Sequence, residues 1–170
     1  MFGIEDFEIS IMKKIQTLKL HKESRLLSYP FDSKQFIIIN IIFYLFNILN
    51  LKEIIIIFGA PVYTFIIKNI TQRKRPYKKY MDISNYSNKN HNDYILHTKS
   101  YSFPSGHTLT SFVFSYVLFN KYYYNNLKFF LIVPLLVGFS RIFMGVHYIT
   151  DVIFAFIFGY IYILLVKKCL

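Results

Sequence analysis

Three groups of polar residues interrupt an otherwise apolar chain. Lys68 is followed, after six residues, by Arg75-Pro76; then comes Pro104-Ser105-Gly106-His107; last, Ser140-Arg141 leads through five residues to His147 and through three more to Asp151. These are the residue types of metal-free phosphoryl transfer. A histidine can attack phosphorus or pass a proton, an aspartate can orient a neighbouring imidazole, and fixed cations can hold the phosphoryl oxygens as charge builds on them. Lys68 and Arg75 lie two helical turns apart and share a face if the helix persists, although Pro76 biases Arg75 out of helical geometry. Alone, that pair reads as an ordinary cationic anchor at the end of a membrane span. Pro104, placed as a first helical residue, leaves the amides of Ser105, Gly106 and His107 aimed beyond the helix end. Gly106 then lets a phosphate approach the backbone and the Ser105 hydroxyl adds a donor. Arg141 falls near the end of an apolar run, where a guanidinium is costly unless it has a function, and its planar fork suits a phosphate. His107, Ser111 and Ser115 recur every four residues, as do His147, Asp151, Ala155 and Gly159, so each set forms a stripe facing the other helices.

The elements that carry these residues read as membrane helices. The chain has 170 residues, 54% of them hydrophobic and 20% aromatic, with a formal charge of +11 and no tryptophan. Such long Ile/Phe/Leu runs predict an all-α, polytopic membrane helix bundle of about five transmembrane helices plus an N-terminal amphipathic helix. The expected spans are Phe36 to Leu51, Ile54 to Ile70, Thr108 to Phe119, Phe129 to Met144 and Ile149 to Val166, the first two forming a hairpin turned at Lys52-Glu53. Over residues 1 to about 25, Ile4, Phe7, Ile11, Ile15 and Leu18 recur at intervals of three and four, with Lys13, Lys14, Lys19 and Lys22 elsewhere around the helix. That pattern fits a helix in the membrane interface and equally one packed on the bundle. The polar loop 71-104 cannot cross a bilayer; within it Ser84 to Asp93 looks like a low-complexity insertion, and Tyr101-Ser102-Phe103 like ordered structure returning. Parity then fixes the site. Lys68 ends the second span, Pro104 opens the third, and spans three and four make a round trip, so all three groups meet on one side of the membrane. The single cysteine, Cys169, excludes an intramolecular disulfide and a cysteine-based metal site. The basic charge does not imply nucleic acid, because most cations flank spans or belong to the phosphate groups.

Lys68-x6-Arg75-Pro76, Pro104-Ser105-Gly106-His107 and Ser140-Arg141-x5-His147-x3-Asp151 match, without a substitution, the three signatures of the type 2 phosphatidic acid phosphatase family, the lipid phosphate phosphatases. The chain resembles that family over about residues 36 to 168, in a trimmed version of its usual six-span fold. Tyr101-Ser102-Phe103 and Thr150-Asp151-Val152 look most like the branch that includes polyisoprenoid diphosphate phosphatases. The resemblance implies that His147 attacks phosphorus to form a phosphohistidine while Asp151 holds its other ring nitrogen, and that His107 protonates the leaving oxygen and then activates water. It implies phosphate binding by Lys68, Arg75, Ser105, Gly106 and Arg141, with no cofactor and no metal. The expected partners are a lipid phosphate, of isoprenyl or phosphatidic acid type, and the bilayer itself. The expected organisation is an amphipathic segment, 1-33, and a membrane-embedded phosphatase domain, 34-170. Lys167-Lys168 resembles a dilysine retrieval signal, which implies the endoplasmic reticulum membrane in a eukaryote. The alternative is an inactive lipid-binding or scaffolding bundle of the same architecture.

Overall fold

The structure is a computed structural model that describes residues 3–86, 101–122 and 130–167. Residues 87–93 of the expected insertion, most of the Asn120 to Lys128 link, Lys168 and Cys169 lie outside the described residues. Two short helices come first, α1 (Ile4–Gln16) and α2 (His21–Ser28), followed by a 3₁₀ turn (Tyr29–Phe31). The predicted single helix to about residue 25 is therefore two. Thr17 returns its hydroxyl to the Lys14 carbonyl and Lys19 takes a left-handed backbone, φ 54°, which ends the first helix.

The first long hairpin is α3 (Ser33–Leu45) and α4 (Leu51–Thr71). Its turn falls at residues 46–50 and not at Lys52-Glu53. Asn47 adopts φ 56°, and the amides of Ile48 and Leu49 both close on the Phe43 carbonyl. Asn50 then caps α4: its side chain accepts from the Glu53 amide at 2.9 Å, and Glu53 accepts from the Asn50 amide at 2.7 Å. Lys52-Glu53 thus forms the first turn of α4. A one-turn α5 (Pro76–Lys79) follows, then α6 (Gly106–Tyr122), α7 (Ile132–Phe143) and α8 (Ile149–Val166).

Among the described residues, α4 and α8 are long and apolar enough to cross a hydrocarbon core of about 30 Å; α3 and α7 are apolar but shorter. The all-α membrane bundle expected from hydropathy is the observed architecture. Its axis is α6, which packs against α4, α7 and α8. Leu109, Phe112, Val113 and Val117 of α6 are buried with Ile56, Ile57 and Ala60 of α4 and with Ala155 and Ile163 of α8. Close approach rests on small residues. A Cβ at Gly159 would stand 2.7 Å from Phe112 Cδ1, and one at Gly138 would stand 2.6 Å from Val152 Cγ1. Large apolar residues point outward instead, among them Ile38 and Ile41 of α3, Val62 and Phe65 of α4, and Ile157 and Leu164 of α8. Apolar faces of this extent suit acyl chains as solvent. At one end of the bundle, Lys121 of α6 reaches Glu53 of α4 at 2.8 Å. The other end carries all three polar groups.

Gly159→Ala should overpack the α6–α8 contact and lower the thermal midpoint in detergent, at a cost of about 1–3 kcal/mol. Leu164→Ala on the outward face should cost no more than about 0.5 kcal/mol in the same measurement.

Candidate active site

The C-terminal end of α4 supplies the first cation. Lys68 donates to the carbonyls of Tyr101 at 2.6 Å and Ser102 at 3.3 Å, and Thr71 donates to that of Phe103 at 3.1 Å. The Ser102 amide in turn reaches the Arg73 carbonyl at 2.8 Å. Tyr101-Ser102-Phe103 is thus laced to the end of α4, as its reading as returning structure expected. The helix does not persist to Arg75: Gln72 takes a left-handed backbone, φ 49°, and Arg75 is extended at the head of α5. The two cations still converge, because the chain folds back and Arg75 donates to the Val146 carbonyl at 3.4 Å.

The second group also starts differently from expectation. Helix α6 begins at Gly106, so Pro104 precedes it. The Ser105 amide gives to the Asp151 carbonyl at 3.0 Å, and its hydroxyl shares a hydrogen bond with Thr108 Oγ1 at 2.8 Å in which either oxygen can donate. A serine just ahead of a helix satisfies the first turn locally, and here it also ties α6 to α8. Gly106 and His107 line an open cavity with Lys68.

The third group closes the site. Arg141, on the last turn of α7, is buried; it approaches Ser28 Oγ at 3.5 Å, and its Nε has no hydrogen-bond partner among the described residues. The chain then turns through Gly145, φ 73°, where a Cβ would stand 2.3 Å from the Ser84 carbonyl oxygen. That turn delivers His147, 2% exposed, beside the start of α8. His147 Nδ1 lies 3.4 Å from Asp151 Oδ2, which also accepts from the Tyr148 amide at 2.9 Å. The imidazole sits in an unusual field: burial first, then the charges of Lys68, Arg75 and Arg141 and the neighbouring His107, hold it well below the ordinary histidine range. A neutral imidazole whose Nδ1 is directed to a carboxylate presents Nε2 as a nucleophile.

Three further residues build the site and were not singled out by motif or period. Arg73 gives one nitrogen to Asp151 Oδ1 at 2.7 Å and to Thr150 Oγ1 at 2.7 Å; the other meets Glu8 at 3.3 Å and Glu5 at 3.4 Å. Its guanidinium lies 3.7 Å from the centre of the Tyr148 ring. Glu8, buried on α1, accepts from the Thr150 amide at 2.6 Å. Asp32 meets His107, Oδ1 to Nε2, at 2.8 Å. The signal for Arg73 was available in principle: a buried aspartate beside a histidine needs a cation, and Arg73 lies two residues from Arg75. Helix α1 consequently faces inward with Glu8, Ile9 and Met12, and its Ile4 and Phe7 remain exposed. Lys79, hydrogen-bonded to Glu5, keeps that carboxyl below the usual carboxylate range.

A cavity of about 390 Å³ opens onto Lys68, Gly106 and His107. Its far wall is apolar, made by Phe31, Phe36 and Ile37 on one side and Phe58, Pro61 and Phe65 on the other. Pro61 has no amide to bond the Ile57 carbonyl, which interrupts the ladder of α4 where the cavity abuts it.

Residues 42–170 match the PAP2 superfamily. Phosphatidylglycerophosphatase B of Bacillus subtilis (strain 168) is 32% identical over 84 residues, which span 43% of this chain and 41% of that relative. The chain thus aligns with less than half the length of this curated relative. Two crystal structures share the fold: Aquifex aeolicus LpxE, with a TM-score of 0.73 at 20% identity and 94% of each chain covered; and the first transmembrane PAP2-type phosphatidylglycerolphosphate phosphatase from Bacillus subtilis, with a TM-score of 0.67 at 21% identity, covering 94% of this chain and 84% of that one.

Removing Arg73 would strand two buried carboxylates, Asp151 and Glu8. Arg73→Ala should destabilise the bundle by about 3–5 kcal/mol, read as a lower thermal midpoint in detergent, and Arg73→Lys should recover part of it.

Proposed function

The chain belongs to the PAP2 superfamily, and we propose that it is an integral membrane lipid phosphatase acting through a phosphohistidine. The observation that carries this reading is the buried His147–Asp151 pair, set among Lys68, Arg75 and Arg141 and next to His107 at the mouth of an apolar cavity. Residues 34–170 hold the hydrolase and residues 1–33 brace it.

In the first half-reaction, His147 Nε2 forms a bond to phosphorus as the bond from phosphorus to the lipid oxygen breaks, and His107 gives that oxygen a proton. In the second, water attacks phosphorus, His107 takes the proton back, and the P–N electron pair returns to His147. The sum is lipid phosphate plus water giving lipid alcohol plus phosphate; a diphosphate loses its terminal phosphoryl group in the same way. Asp151 stabilises the charge that forms on the His147 ring. Lys68, Arg75, Arg141 and the Gly106 backbone hold the equatorial oxygens, and the unpartnered Nε of Arg141 is a donor waiting for an anion. Ser105 adds a hydroxyl to that layer when Thr108 is the donor of the bond they share. Three fixed cations around His147 can meet the charge that a metal ion would otherwise meet, which supports metal-independent hydrolysis.

The substrate follows from the cavity. Phenylalanines and Ile37 accommodate a hydrocarbon tail while Lys68 and His107 meet the phosphate, so the ligand is a membrane lipid with a terminal phosphate or diphosphate, of isoprenyl or phosphatidic acid type. The name of the Bacillus relative points to the same class. An inactive scaffold of this architecture is disfavoured, since lipid binding alone gives no reason to bury a neutral histidine against an aspartate.

Detergent-purified protein in EDTA should release phosphate from phosphatidic acid or from an isoprenyl diphosphate. His147→Ala should lower that rate at least about a thousandfold with an unchanged melting profile. Equal activity in both proteins would sink the reading. Because His147 is held neutral well below the ordinary value of ~6.5, kcat/KM should persist as pH falls through that value, its acid limb appearing only at lower pH. An acid limb centred at or above it would contradict the neutral nucleophile.

A further inference from the structure

His107 carries a carboxylate partner that belongs to none of the three polar groups. Asp32 lies just ahead of α3, with an extended backbone whose carbonyl accepts from the Phe36 amide at 2.9 Å. An aspartate in that place ordinarily turns its side chain onto the first-turn amides of its own helix. Here it makes no such cap, and Oδ1 is directed across the bundle to His107 Nε2 at 2.8 Å. The 3₁₀ turn before it is seated on α6, with the Phe31 ring edge-on to Phe114 at 6.0 Å. Phe31 and Ser33, the two neighbours of Asp32, line the cavity together with His107.

We infer that Asp32 is a positioning residue for His107, forming a second carboxylate–histidine pair opposite His147–Asp151. The inference rests on the hydrolase reading above. The two pairs use opposite ring nitrogens. Asp151 addresses Nδ1 of His147 and leaves Nε2 for phosphorus; Asp32 addresses Nε2 of His107 and leaves Nδ1 for proton transfer. As Nδ1 gives its proton to the departing lipid oxygen, the ring relaxes to the neutral form that keeps N–H on Nε2, still donating to Asp32. Nδ1 then bears the lone pair that takes a proton from the attacking water. One carboxylate therefore fixes the tautomer needed in both half-reactions. It also supplies counter-charge to an imidazolium that stands among Lys68, Arg75 and Arg141, since Asp151 is already matched by Arg73.

Full-length protein, purified in detergent with EDTA, tests this on two substrates of different leaving-group quality. Phosphatidic acid expels an alkoxide that needs a proton; p-nitrophenyl phosphate expels a phenolate that does not. Asp32→Asn should lower kcat/KM on phosphatidic acid about a hundredfold and on the aryl ester less than about tenfold. Asp32→Glu should restore much of the loss, and Asp32→Ser, which still suits a helix start, should repeat the asymmetry if the asparagine variant folds poorly. Equal losses on both substrates, or full activity of Asp32→Asn on phosphatidic acid, would overturn the assignment of Asp32 alone. A folded wild type that hydrolyses neither substrate, or a His147→Ala protein as active as wild type, would overturn the hydrolase reading and this inference with it.

Discussion

The buried carboxylate of Asp151 sets the terms for everything near it. An unpaired carboxylate in the low-dielectric interior of a bundle would be protonated or would destabilise the fold by several kcal/mol, so the chain must bring a cation to it. Arg73 does so at 2.7 Å. That pairing occupies Oδ1 and leaves Oδ2 for the Tyr148 amide and His147, so the same contact that makes the aspartate tolerable also decides which of its oxygens faces the imidazole. The remaining nitrogen of Arg73 draws in Glu8 and Glu5, and with them the whole of α1. The N-terminal helix is therefore held to the bundle by electrostatics at its centre, with Ile9 and Met12 packed around that centre.

Most of the site was legible in the sequence because its residues obey local rules. Apolar run lengths located the long helices, and the parity of crossings placed Lys68, His107, Arg141, His147 and Asp151 at one end without any tertiary information. The every-four stripe through Asp151, Ala155 and Gly159 is the buried face of α8. What escaped is of two kinds. Local backbone turns moved boundaries: Asn47 and the Asn50–Glu53 cap shifted the hairpin, and Gln72 ended α4 before Arg75. Long-range polar pairs left no periodic trace: Arg73 with Asp151, Asp32 with His107 and Glu8 with Thr150 join residues 78, 75 and 142 positions apart. A pair of that kind is dictated by the need of one buried group for another, and hydropathy does not record it. The bond between the Ser105 and Thr108 hydroxyls, three residues apart, is local and equally left no mark in the hydropathy.

The cavity joins two solvents. Its phenylalanine wall continues the apolar outer surface of α3 and α4, and its polar side is formed by Lys68, Gly106 and His107. A lipid phosphate can keep its tail among hydrocarbon while its headgroup exchanges water for fixed donors, so the free energy of extracting a lipid from the bilayer need not be supplied by the site.

The span of these pairings has a consequence for how the protein is made. Chains emerge from the ribosome N-terminus first, and the aspartate that Arg73 pairs with lies at the start of the last helix. Until α8 has inserted, the end of α4 carries Lys68, Arg73 and Arg75 with no aspartate to balance them, and Glu8 has no Thr150 amide to accept from. Helix α1 has partners at Arg73, Lys79, Asp82 and Ser84 before α8 emerges, and its contact with Thr150 comes last. The last helix therefore both completes the His147–Asp151 pair and adds the final contact of α1.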